Sequence, residues 1–167
     1  SASRWVVCAS LVLLGVAAAA RALAGSSEGP RGPADEELLK ALPRIKHSLA
    51  EGIQQLSKGS EAAISAKFEV EEDKLQLSVY TSKAGKFSEV LVDYTTGKIA
   101  KVDAITEGED LAAAKAQSAA MAKAKSSLRQ VVDKAANEGT ELRAVSVAPD
   151  MKDGHVMATI ALLHGKE

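Results

Sequence analysis

Only one cysteine, Cys8, stands in the 167 residues, which excludes an intramolecular disulfide, a CxxC redox pair and a thiolate zinc site. Aromatic residues are almost as scarce: one Trp, two Tyr and two Phe. The core must therefore be built from Leu, Ile, Val and some of the 31 Ala, which makes it thin. No sign of charge dominates either. With 21 basic and 22 acidic side chains the net charge is -1, so no overall field draws a polyanion, and nucleic acid is not an expected partner. The twelve glycines are scattered at turns, and no phosphate-cradling loop is present. At about 150 residues per typical domain, the length allows one compact domain or two small ones.

What is present begins with an apolar segment. Residues 5–20, WVVCASLVLLGVAAAA, carry no charge and lie between Arg4 and Arg21, with the small-x-small triplet Ala22, Leu23, Ala24 following. A basic residue, an apolar run and such a triplet resemble a secretory signal cut after Ala24. An uncleaved anchor competes with that reading, because a helix over residues 5–24 is about 30 Å long, one hydrocarbon core. The expectation is an N-terminal hydrophobic helix, residues 1–24, retained as an anchor with Trp5, Leu11, Leu13, Leu14 and Val16 as its apolar members. Arg4 on the short side then places everything after residue 25 outside the cytoplasm, and periplasmic or secreted release after cleavage is the alternative. Cys8 follows the bulky Trp5, Val6 and Val7 rather than small residues, so it reads as a membrane-helix residue and not as a lipid-attachment site. Residues 25–34, rich in Gly, Pro and Ser, read as a flexible tether.

Beyond the tether the apolar period changes twice. Leu38, Leu42, Ile45, Leu49, Ile53 and Leu56 recur at steps of three and four and form one helical stripe, with Pro43 marking either a kink or the start of the regular part. Ile64, Ala66, Phe68 and Val70 then alternate with polar partners, as do Leu75, Leu77 and Val79, which predicts a hairpin with one buried face. Two more strands, residues 87–94 and 99–105, complete a set of four. Thr106 and Glu109 have the capping-box spacing and open an Ala-rich segment expected to be one helix of about 28 residues, ending near Gly139. Its packing stripe is Met121, Ala124, Leu128, Val131, Val132 and Ala135, and its first half is expected to be mostly exposed. Residues 142–147 and 156–163 give a last hairpin.

The two halves repeat. Ser48-Leu49 returns as Ser127-Leu128, and Gly59-Ser60-Glu61 as Gly139-Thr140-Glu141. The fold class is therefore α+β: two helix-plus-antiparallel-hairpin units, 35–105 and 106–167, each laying its helix on its own hairpin, with the possibility of a shared sheet.

The turn Asp93-Tyr94-Thr95-Thr96-Gly97-Lys98, between two strands and preceded by a helix and a hairpin, resembles the PepSY family. Residues 38–105 carry the resemblance; residues 111–163 are similar to a degenerate copy without the Asp-x-x-Thr-Gly-Lys turn. The resemblance implies a small extracytoplasmic α+β module, known from inhibitory propeptides of proteases and from membrane-associated or secreted proteins. It brings a turn motif, Asp93, Thr96, Gly97 and Lys98, but no catalytic residue and no cofactor.

The residues offer little chemistry of their own. The imidazoles are His47, His155 and His164, and the cluster Asp150, Asp153, His155 reads as a hairpin turn, since no second imidazole stands at i+2 or i+4. No nucleophile elbow or SxxK turn occurs, and Glu71-Glu72-Asp73 reads as a solvated hairpin tip. The small-residue face of residues 112–122 offers close approach to a partner, although a plain exposed helix accounts for it too. The expected function is non-catalytic protein binding, without metal or cofactor: a membrane-anchored accessory subunit docking on membrane complex subunits, or a regulator of a secreted hydrolase such as a protease.

Overall fold

Strands dominate where the sequence alternates, and they join into one sheet. The computed structural model describes residues 6–12, 33–56, 58–137 and 142–164. In chain order these form β1 (Val6–Val12), α1 (Pro33–Ala41), a 3-10 turn (Leu42–Arg44), α2 (Leu49–Leu56), β2 (Ala62–Glu71), β3 (Lys74–Lys83), β4 (Lys86–Val92), β5 (Ile99–Ile105), α3 (Gly108–Lys123), α4 (Leu128–Asn137), β6 (Leu142–Lys152) and β7 (His155–His164). The sheet is seven-stranded and antiparallel, in the order β1-β7-β6-β2-β3-β4-β5. The α+β class is as expected, and the shared sheet, which the sequence left open, joins both units.

The expected first helix is broken. Pro43 lies within the 3-10 turn, and α2 restarts at Leu49 under a capping box: the Ser48 amide donates to Glu51 Oε2 at 2.6 Å, and the Glu51 amide donates back to Ser48 Oγ at 3.2 Å. α1 opens at Pro33, a residue suited to the first helical position and inside the stretch 25–34 expected as tether, of which residues 25–32 lie outside the described residues. The expected helix of the second half is two helices as well. The chain turns extended at Ala124 (ψ 142°), and α4 restarts under a second box, Ser127 with Gln130, at 2.9 and 3.3 Å. Thr106 caps nothing by its side chain; α3 starts from an extended Glu107 at a Gly108 with φ +77°.

The repeat extends to the details of backbone geometry. The register of β2 slips at Ile64 and that of β6 at Val145, 81 positions later. The β2–β3 turn uses Glu72 and Asp73 at φ 49° and 60°, and the β6–β7 turn uses Asp153 and Gly154 at 51° and 78°. These left-handed pairs match the twist of a two-residue hairpin. The corresponding strands β2 and β6 pair with each other only at Ala66↔Val147 and Lys67↔Ser146, so the seam between the units relates them by an approximate two-fold.

One face of the sheet receives α1, α2 and α4. Leu49, Ile53, Leu77, Val79, Leu128, Val132, Val147 and Ile160 meet there with at most 2% exposure. At about 25 cal/mol per Å² of buried apolar surface, such side chains are the main favourable term of the fold. Gly52 lets α2 come close: a Cβ there would lie 2.6 Å from Leu77 Cδ2. The other face is crossed by α3, which buries only Ala114 and Ala120 and meets Ile64 and Phe87 in a small separate cluster. Leu111, Gln117, Ser118 and Met121 are half-buried, and the rest of the helix is exposed.

Val6–Val12 is an edge strand on β7, from Val6↔Leu163 to Val12↔Met157, where the sequence leads one to expect the start of a helix. A short apolar run has no period that tells strand from helix, and Val6, Val7 and Val12 are β-branched. Leu11 lies in this strand, whereas Trp5, Leu13, Leu14 and Val16 lie outside the described residues. Among the described residues no helix is long and apolar enough to cross a membrane.

Candidate functional site

Three places gather polar groups: the β4–β5 turn at Asp93 to Lys98, the cleft under α3, and the β6–β7 turn.

At the turn, Asp93 organises its own loop. Its Oδ1 accepts the amides of Thr95 and Thr96 at 2.7 and 2.9 Å, its carbonyl accepts the Gly97 amide at 2.7 Å, and its amide donates to the Lys98 carbonyl at 2.8 Å. The amides of Thr96 and Thr95 hold the Asp93 carboxyl below the usual carboxylate range, and His47 adds to this. Gly97, at φ +71° and buried, lies flat against the His47 imidazole, whose atoms would stand 3.1 to 3.2 Å from a Cβ. The Tyr94 carbonyl accepts the amides of Lys46 and His47 at 3.1 and 3.0 Å, and Arg44 donates to the Tyr94 hydroxyl at 3.0 Å. His47 Nδ1 lies 3.7 Å from Glu51. The motif thus fastens the β4–β5 turn to the connection between α1 and α2. Asp93, Thr96 and Gly97 shape and seat it, while Lys98 contributes its backbone and leaves its side chain exposed.

Under α3, at the seam of the two units, lies a cleft of about 350 Å³. Lys67 and Tyr80 floor it, Asp110 and Gln117 come from α3, and Ser146 comes from β6. Lys67 Nζ sits 2.7 Å from Glu69 and 5.8 Å from the centre of the Tyr80 ring. Burial pulls against the Lys67 charge, but the Glu69 hydrogen bond and the field of Tyr80 and Glu69 outweigh it and leave its pKa above the ordinary lysine value. Tyr80 donates to Glu89 at 3.2 Å, and burial pushes its phenol up to about 12. Near neutral pH the floor is therefore an ammonium ion and a neutral phenol. Neither is a base. Ser65 spends its hydroxyl on Gln117, at 2.7 Å.

At the β6–β7 turn, Asp150 Oδ1 accepts the Met151 amide at 2.7 Å, Asp153 occupies a left-handed turn position, and His155 opens β7, exposed. Asp153 does the work of a turn, whereas Asp150 lies within β6, paired with Met157. The His164 side chain lies outside the described residues. Among the described residues no group of three His, Cys, Asp or Glu could hold a metal ion. At the hairpin tip, Glu71 accepts from Gln76 at 3.0 Å, and Glu72 and Asp73 are exposed turn residues.

Two contacts are not foreseeable from the sequence. Arg143 of β6 donates to the carbonyls of Leu42 and Ile45, at 2.8 and 3.4 Å, tying the second unit to the end of the 3-10 turn in the first. The cleft under α3 draws on four separate elements, with residues 65–67, 80, 110–117 and 146–148, and no local spacing marks it. The seam bulges at Ile64 and Val145 are foreshadowed only by the repeat.

No protein-family model matches the chain, and neither a curated protein nor a solved structure was found to match it.

Proposed function

We propose that the chain is a non-catalytic, PepSY-like binding module working outside the cytoplasm, tethered by residues 5–24 as an accessory subunit of a membrane assembly. The observation that carries the binding role is β5. This strand ends the sheet, Ile99 and Val102 stand 51% and 55% exposed on it, and only Ile105 at its far end packs toward the α3 cluster. Large apolar side chains kept on a sheet margin mark a contact surface. The turn motif beside it supports the family reading, because it braces β5 against the helices.

The second reading is a secreted or periplasmic regulator of a hydrolase such as a protease. Val6–Val12 cannot lie on β7 and in a membrane helix at the same time, so the strand-paired molecule is one in which these residues are neither inserted nor cut away.

Affinity capture of the full chain from native membranes and from the extracytoplasmic fraction tests both. The reading expects a stoichiometric protein partner, recovered by the wild type and lost with Val102→Asp. Protection of the domain from external protease in spheroplasts, or capture unchanged by Val102→Asp, overturns it.

A further inference from the structure

The two margins of the sheet differ in how they are guarded. Edge strands expose unpaired backbone groups and are normally protected by charge, proline or a cover. β5 carries Lys101 and Asp103, paired at 2.8 Å, across its middle. β7 carries nothing of the kind: residues 156–163, VMATIALL, hold no charged side chain and no proline. Its cover is β1.

The internal two-fold says what position β1 fills. In the first unit β4 pairs with β3 through Leu77↔Val92 and Val79↔Val90. The matching residues of the second unit, Ala158 and Ile160, pair with Leu11 and Ala9 of β1. A strand from the far end of the chain thus occupies the place that the next strand occupies in the first unit. It is antiparallel, seven residues long and free of charge, VVCASLV.

We propose that the outer edge of β7 is a strand-acceptor site, held in cis by Val6–Val12 and taken in trans by an extended, uncharged apolar segment of a partner protein when those residues leave. This rests on the functional reading above, since both the anchor and the cleaved signal remove residues 6–12 from the sheet. Main-chain hydrogen bonds supply affinity for an added strand, and alternate side chains supply selectivity. The chain's own segment is the template for that ligand: same direction, same register, no charge. Keeping it on β7 until export also shields an edge open to self-association.

The native cysteine provides the test. Cys8 stands opposite Ala161 in the register, within disulfide reach, whereas Thr159 lies two residues further along β7. In the full chain, mild oxidation with oxidised glutathione should close a Cys8 disulfide in Ala161→Cys and not in Thr159→Cys. A synthetic VVSASLV peptide, labelled at one end, is then the probe. In an antiparallel pair alternate residues bond to the neighbour, so Ala9→Pro together with Ser10→Pro must remove a bond and free the edge. The expected result is peptide binding at least tenfold tighter to the double-proline chain than to the oxidised, locked chain, with wild type between them.

No cross-link at Ala161→Cys, equal binding by the locked and double-proline chains, or a double-proline chain that dimerises and ignores the peptide each overturns the proposal. Failure here with capture through β5 intact leaves the functional reading standing. A cytoplasmic chain that passes the peptide test sinks that reading and leaves the acceptor edge.

Discussion

Gly97 shows how one residue serves two constraints at once. The turn requires φ +71°, and the His47 ring lies where a side chain would start. A left-handed conformation costs a residue with a Cβ about 1–2 kcal/mol. Gly97→Ala should therefore lose about 1–2 kcal/mol in urea denaturation, and an unchanged midpoint would refute the docking role. Asp93 lends the same turn a pH dependence. Its folded pKa lies below the ordinary value, so its contribution is fully present above about pH 4, the unfolded value. It is lost as pH falls through the folded value. Asp93→Asn should flatten the acid limb of the stability profile and leave its slope near neutrality unchanged, as thermal melts across pH 2 to 7 would show. A wild-type acid limb in Asp93→Asn would mean that the two amides do not favour the ionised form.

At the scale of elements, the short helices α2 and α4 depend on their caps. Each runs ten residues or fewer, too short to be stable alone, and each opens with a serine and an acid or amide three residues on. Ser48→Ala and Ser127→Ala should each cost about 0.5–2 kcal/mol, equal within error if the two units are equivalent in energy as in geometry. Conversely, a cost confined to one of them would show that the repeat is geometric only. The capping role of these serines was not legible in the sequence; only the Ser-Leu repeat was. The break before Ser127 was not, since the stripe from Met121 to Ala135 continues at helical spacing across it; the extended turn at Ala124 satisfies both the stripe and the cap. Strands β2 to β7 were legible from alternation. The buried residues of α3 were not, because an Ala-rich helix has no stripe, and packing against Ile64 and Phe87 selects Ala114. The turn from Asp93 to Lys98 was legible as a turn between two strands, but its partners, His47 and Arg44, lie about fifty residues away on a different part of the sequence pattern.

For the whole molecule the question is whether two units joined by four paired residues behave as one. The backbone seam is small, Ala66↔Val147 and Lys67↔Ser146, and alone would let the halves open separately. Side chains counter this. Leu49 and Ile53 of α2 share one continuous core with Leu128, Val131 and Val132 of α4, and Arg143 reaches from β6 to the end of the first helix layer. Apolar burial across the seam is therefore larger than the hydrogen bonding along it, and the sheet should unfold in a single step. Leu49→Ala tests this: the residue is 1% exposed, and the truncation should cost about 2–5 kcal/mol. Because the core is common, the loss should appear equally in both halves, raising amide exchange rates in β3 and in β6 by the same factor under conditions of global opening. Faster exchange in β3 with β6 unchanged, or two resolved denaturation transitions, would show that the units are independent domains that merely share an edge.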